Sequence, residues 1–223
     1  PQKKEPEEII IAIHGWRDNV DAWDNLAEEA NKKDITVIGY DQRGFGKDRE
    51  RPFNKMSYQR MVMDLQKFIE KQQELNPGAN IVLMGHSMGG ALLLLPEMQT
   101  FLKQQENSNI KGCVCLAPAV STDRFPSIPI GPHYGEHDNP KLSKIHESRS
   151  RFASFIEKIW TLKNLFKLMR HAAKGLQAIT EERNAKPDDM STPYEIYCGG
   201  GDVAVQHKYF ERFTKEQSQP SVS

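Results

Sequence analysis

The chain has 223 residues, enough for one domain with a sizeable buried core and an inserted segment. Its 30 Lys plus Arg balance 30 Asp plus Glu, which excludes the basic footprint of a nucleic-acid binder. Three cysteines, Cys113, Cys115 and Cys198, make no disulfide framework; no apolar run is long enough to span a membrane, and no signal peptide is visible, so a reducing, cytoplasmic setting is expected.

Short apolar runs alternate with longer amphipathic segments, the pattern of an α/β protein. Ile9–Ile13 is the first predicted strand. A helix follows with Trp23, Leu26, Ala27 and Ala30 on one face and Asn19 or Asp21 as N-cap. Ile35–Tyr40 is the second strand. Met61, Leu65, Phe68 and Ile69 then mark a helix capped by Ser57 and ended by Pro77-Gly78. Asn80–Met84 is the third strand. The helix after it, from about Gly90, carries four consecutive leucines and is expected to be buried all round, with a kink at Pro96. Lys111–Leu116 is the fourth strand, and Cys113 and Cys115 share one of its faces as small buried hydrophobes. Tyr194–Cys198 is the fifth. Near-continuous apolar character predicts that all five run parallel, with helices on both faces.

From Ser121 to about Thr192 this rhythm breaks. A Pro-rich stretch (Pro126, Pro129, Pro132, Pro140) precedes Phe152, Phe155, Ile156, Ile159, Phe166 and Met169 at helical spacing. The segment 121–192 is read as a helical cap inserted between two strands; the plainer reading is a set of packing helices of the main domain. The chain is otherwise one domain over 1–223.

Gly85-His86-Ser87-Met88-Gly89 matches G-x-S-x-G between a predicted strand and helix. A nucleophile on a sharp strand–helix turn needs small neighbours two residues away. The helix start faces an oxyanion with unpaired N–H groups, of which Met88 supplies one. His14-Gly15-Trp16 follows the first strand, and the Trp16 N–H is the candidate second donor; His14 is read as a residue stabilising this loop. Asp202 ends Cys198-Gly-Gly-Gly-Asp202 after the last predicted strand, where a carboxylate can orient a histidine, or can simply cap the next helix. His86 is expected to diverge from the nucleophile and be structural.

Together, His14-Gly15, Tyr40-Asp41-Gln42-Arg43-Gly44-Phe45-Gly46, the turn Gly85-His86-Ser87-Met88-Gly89-Gly90, and Gly201-Asp202 resemble the monoglyceride lipase and lysophospholipase branch of the α/β-hydrolases. The resemblance covers nearly the whole chain. It implies hydrolysis of a carboxylic ester, such as a monoacylglycerol or lysophospholipid, by acyl transfer to Ser87. It implies an oxyanion hole from the Trp16 and Met88 amides, and no metal or organic cofactor. A peptidase or aminopeptidase of the same fold and a catalytically silent binding protein are the alternatives.

In that family the catalytic histidine follows the acid after one more helix and strand. Here the sequence after Asp202 holds one helix and stops at Ser223, and no antiparallel strands precede the first parallel one. Three explanations stand: a piece of a longer enzyme, a protein naturally without the histidine, or service by His207, which lies five residues after Asp202 and far from an easy approach to Ser87. The opening at Pro1, without methionine, fits the first.

His133-Tyr-Gly-Glu136-His137 matches H-x-x-E-H, but Pro132, Gly135 and Pro140 oppose the helix that zinc chemistry needs, so it is read as a loop. Trp160–Lys174 sets Lys163, Lys167, Arg170 and Lys174 among apolar residues; it suits contact of the cap with an anionic membrane surface, or a packing helix with a solvated face. The expected partner is a small lipid-like ester, and no nucleic acid.

Overall fold

A computed structural model of the chain describes residues 5–16, 18–46, 57–105, 109–121, 155–186 and 192–198; for residues 155–163 it describes the backbone alone. Asp202, His207 and the His133–His137 motif lie outside the described residues.

Five strands form one parallel sheet: β1 (Glu8–Ile13), β2 (Ile35–Gly39), β3 (Asn80–His86), β4 (Ile110–Leu116) and β5 (Tyr194–Tyr197), in the spatial order β2-β1-β3-β4-β5. The crossovers are helical, as parallel neighbours require. The order reverses around β1: β2 lies on one side of it and β3 on the other. Such a switch leaves a crevice at the carboxyl ends of the strands, where the loops after β1 and β3 meet. The central strands are apolar because both faces are covered, and Ile9, Ile11, Ile13, Ile81 and Leu83 are all at most 2% exposed.

A single 3-10 turn over Val20–Trp23 leads into α1 (Asp24–Asn31). Its cap is Asn19, whose side chain accepts the Asp21 N–H at 2.9 Å. In α2 (Tyr58–Leu75), Ser57 caps through Oγ, accepting the Arg60 N–H at 3.3 Å. Met61, Val62, Leu65 and Ile69 form its buried face.

The leucine-rich segment departs from expectation. It is two helices, α3 (Met88–Leu93) and α4 (Pro96–Gln104), rather than one helix kinked at Pro96. Pro96 begins the second helix, where its fixed φ and missing N–H cost nothing. Leu95, preceding it, is forced out of the helical region to φ −65°, ψ 141°. All four leucines, Leu92 to Leu95, are fully buried.

The described part of the insertion is one helix, α5 (Phe155–Ala185). It packs on α3 and α4, and its Leu165, Leu168, Met169, Ala172, Leu176 and Ile179 are buried in the common core. Gly175 makes the closest approach: a Cβ there would collide with the Leu94 carbonyl oxygen and come within 2.8 Å of Gln99 Nε2. Buried Gln99 closes the crossing by donating from Nε2 to the carbonyls of Leu94 and Gly175, each at 2.9 Å. Lys103–Glu182 at 2.7 Å and His171–Glu97 at 3.0 Å flank it. Among the described residues no helix is long and apolar enough to cross a membrane.

In an exposed helix Gly→Ala stabilises by about 1 kcal/mol. At Gly175 the sign should reverse, because overpacking against an immobile carbonyl costs about 1–3 kcal/mol; urea denaturation of Gly175→Ala should show a net loss.

Cys113 on β4 is 1% exposed, and burial pushes its thiol up to about 12, with the Tyr194 hydroxyl acting in the opposite sense. A thiol that stays neutral in the fold but ionises in the unfolded chain favours unfolding as pH rises. Its contribution is intact below the thiol's ordinary value of 9 and is lost progressively toward about 12. Denaturation between pH 9 and 11 should therefore show a shallower loss of stability in Cys113→Ala than in the wild type. The difference in slope should be at most about 1.4 kcal/mol per pH unit.

Candidate active site

The centre of the site is a strained backbone. Ser87, between β3 and α3, has φ 51° and ψ −111°, a conformation that costs a non-glycine residue about 1–3 kcal/mol. Its surroundings fix both of its main-chain groups. The Ser87 N–H donates to the Leu116 carbonyl at the end of β4 (2.9 Å). Its carbonyl accepts the N–H groups of Ala91 in α3 and Ala119 beyond β4, each at 2.9 Å. The side chain makes no capping bond to the helix, and the residue is half-buried.

The glycines of the motif are there because backbones touch. A Cβ on Gly85 would lie 2.5 Å from Gly89 C and Gly90 N. One on Gly89 would collide with the Ile13 carbonyl oxygen and come within 2.9 Å of the His14 carbonyl oxygen. One on Gly90 would lie 2.9 Å from the Gly85 carbonyl oxygen. The first turn of α3 is thus pressed against the loop leaving β1. Gly15 in that loop faces the nucleophile: its Cβ position is 3.4 Å from Ser87 Cβ and 3.1 Å from His86 Nδ1. The His86 ring thus lies beside Gly15, while the residue as a whole is exposed. Met88 opens α3, where the first amides lack intrahelical acceptors.

The loop carrying Gly15 and Trp16 is held from beneath by the turn after β2. The Gln42 N–H donates to His14 Nε2 at 2.9 Å, and Gln42 Nε2 donates to the His14 carbonyl. His14 Nδ1 lies 2.8 Å from the Gly15 carbonyl oxygen. Both residues are 1% exposed, and Phe45 meets the His14 ring edge-on at 5.9 Å. The turn itself needs glycine at Gly44 (φ 80°) and Gly46 (φ 55°); a Cβ on Gly46 would strike the Asp41 carboxylate. Arg43 anchors it to α2 by a two-pronged pair with Asp64, Nε–Oδ2 at 2.9 Å and Nη2–Oδ1 at 2.7 Å. Asp41 Oδ1 accepts the Val20 N–H at 2.9 Å, joining the 3-10 turn to the same assembly. Tyr40 packs on Phe68 at 4.7 Å, and burial, with Asp64 adding to it, raises its hydroxyl above the ordinary range.

The carboxyl end of β5 reaches the same edge of the sheet. Tyr197 pairs in register with Leu116, and Leu116 with His86. The Ala117 N–H donates to the Tyr197 carbonyl at 2.6 Å. At about 4.8 Å per strand, the point where β5 ends lies roughly 10 Å from the elbow.

Of the residues expected from sequence, the structure brings together Ser87, Met88, Gly15 and His14, with Trp16 next in the loop; Asp202 and His207 are not among those described. Sequence reasoning assigned no role to Gln42, Arg43, Asp64 or Ala119. A buried glutamine names no partner in a sequence, and the Arg43–Asp64 pair joins residues far apart in the chain.

A parallel sheet flanked by helices, with a strained serine at the switch from strand to helix, defines an α/β-hydrolase fold. The family described as serine aminopeptidase, S33, matches residues 4–223, and the chain belongs to it. It is similar to the monoglyceride lipase of Rattus norvegicus, 25% identical over 115 residues, which are 52% of this chain and 36% of that protein. The matched region thus spans about a third of that relative's length. Among solved structures, the fold is shared with the monoacylglycerol lipase of Paleococcus ferrophilus (TM-score 0.56, 18% identity, covering 96% of this chain and 81% of that one). It is shared also with a thermostable carboxyl esterase from Bacillus coagulans (TM-score 0.55, 13% identity, 96% and 88%).

Proposed function

We propose that this protein is a serine hydrolase that cleaves carboxylic esters by acyl transfer to Ser87, with a lipid monoester, a monoacylglycerol or a lysophospholipid, as its substrate class. The observation that carries the reading is the strained elbow: Ser87 at φ 51°, fixed by three main-chain hydrogen bonds, beside the Gly15 loop. A conformation this costly is kept at a turn that exposes a nucleophile. The substrate class rests on the similarity to a monoglyceride lipase.

In the first step Ser87 Oγ attacks the ester carbonyl and its proton passes to a histidine. The carbonyl oxygen becomes an oxyanion bound by the Trp16 and Met88 amides. Collapse breaks the bond to the leaving alcohol, which takes the proton from the imidazolium. Water then repeats the sequence on the acyl-enzyme, releasing the carboxylic acid and restoring the serine. Each oxyanion donor of this kind contributes about 3–4 kcal/mol to the transition state.

Asp202 is the proposed acid. The chain leaves β5 at the edge that carries Ser87, in register across β4, and Asp202 follows five residues after Tyr197. The base is a histidine on the segment after Asp202, either His207 or one carried by a longer product of the gene.

The test is labelling by a fluorophosphonate together with hydrolysis of a monoacylglycerol, in the 223-residue chain and in any longer product of its gene. Labelling and ester cleavage that vanish in Ser87→Ala are expected. Cleavage of aminoacyl amides but not esters would move the assignment to a peptidase. No labelling of any folded form would leave a silent binding module.

A further inference from the structure

We infer that Gln42 is a positioning residue for the oxyanion loop, acting through His14. It locks the imidazole in the tautomer protonated at Nδ1, and that ring in turn aims the Trp16 amide. This rests on the hydrolase reading of the site and adds to it a device that sets the geometry of one donor.

The lock follows from what each partner can do. The Gln42 main-chain N–H is only a donor, so His14 Nε2, 2.9 Å away, must present its lone pair. A neutral imidazole then carries its proton on Nδ1. The Gly15 carbonyl is only an acceptor, so the 2.8 Å contact from Nδ1 requires that same proton. Both neighbours demand one tautomer, and an imidazolium would set N–H against N–H at Nε2. The carboxamide of Gln42 is oriented too: its nitrogen bonds the His14 carbonyl, and the flipped amide would face that oxygen with another oxygen. The 3.4 Å approach of the carboxamide nitrogen to Nδ1 is then two donors side by side rather than a bond.

The link to catalysis is the planarity of the peptide. Gly15 C=O and Trp16 N–H belong to one trans unit and point in opposite directions. Fixing the carbonyl from the His14 side fixes the direction of the amide on the other. The carbonyl of the preceding unit, that of His14, is gripped by Gln42, so one residue of the turn after β2 acts on two consecutive peptide planes, the second of which is held also by the Asp18 N–H on the Gly15 carbonyl at 3.4 Å. Arg43, the next residue, ties that turn to α2 through Asp64.

Two measurements test this on the whole chain. Two-bond proton–nitrogen correlation spectra of histidine-labelled wild type report the tautomer directly; the expected result is Nδ1–H at neutral pH. Gln42→Met keeps volume and the main-chain N–H but removes the grip on the His14 carbonyl. Its fluorophosphonate labelling rate, expressed per folded protein from circular dichroism, should fall about tenfold. His14→Phe, which removes the Nδ1 contact as well and leaves the Gly15 carbonyl to the Asp18 N–H at 3.4 Å, should lose more than Gln42→Met and less than the 10²–10³-fold of removing a donor outright, each estimate scaled from oxyanion-hole substitutions. A purely structural role would lower stability and leave the rate per folded molecule unchanged. An Nε2–H tautomer, or a folded Gln42→Met that labels at the wild-type rate, overturns the inference. Failure of the hydrolase reading is separate and visible earlier, as wild type that never labels at Ser87; the positioning role falls with it.

Discussion

The structure depends on one close approach of two backbones, the loop leaving β1 and the first turn of α3. Gly89 lies so near the carbonyls of Ile13 and His14 that only hydrogen fits between them. That contact brings the end of one central strand and the start of the helix after its neighbour into a single wall. Gly15 and Met88 thereby flank Ser87. Every other feature of the site either makes this approach sterically allowed or keeps it in place.

The strain at Ser87 is held by more than its local sequence. Its N–H reaches β4, its carbonyl reaches both α3 and the segment after β4, and the ends of β4 and β5 are tied to each other through Ala117 and Tyr197. The elbow is thus built on the sheet's carboxyl edge as a whole. Behind it, Leu92–Leu95 and the face of α5 fill the interior, so the helix that carries the elbow cannot shift without opening the core. On the other side, a chain of polar contacts runs from α2 through Asp64 and Arg43 to the turn of Gln42 and on to His14. Buried polar networks favour a single geometry where their members are partnered; here Gln42 Oε1 alone of the carboxamide is buried without a hydrogen-bond partner, so the grip runs through its nitrogen.

Much of the fold was legible in the sequence because its signals are local. Each predicted strand agrees with the observed one to within two residues, since a buried parallel strand is a short apolar run between turn residues. Ser57 and Asn19 announce helix starts by the chemistry of their side chains. The division into α3 and α4 was not legible: a run of leucines looks equally buried in one helix or two, and Pro96 fits either a kink or a first turn. Within the site, the G-x-S-x-G spacing reports steric crowding around the serine and so carries over to the structure directly. Gln42 and Asp64 were invisible because their roles depend on partners 28 and 21 residues away.

The central claim is that the Ser87 elbow and the His14–Trp16 loop together form a pocket for an oxyanion. A crystal structure of the phosphonylated protein tests it most directly. Phosphorus should be bonded to Ser87 Oγ, with the phosphoryl oxygen about 2.7–3.1 Å from the Trp16 and Met88 nitrogens. An adduct on Ser87 whose phosphoryl oxygen points to solvent, or is bound by other groups, would contradict it.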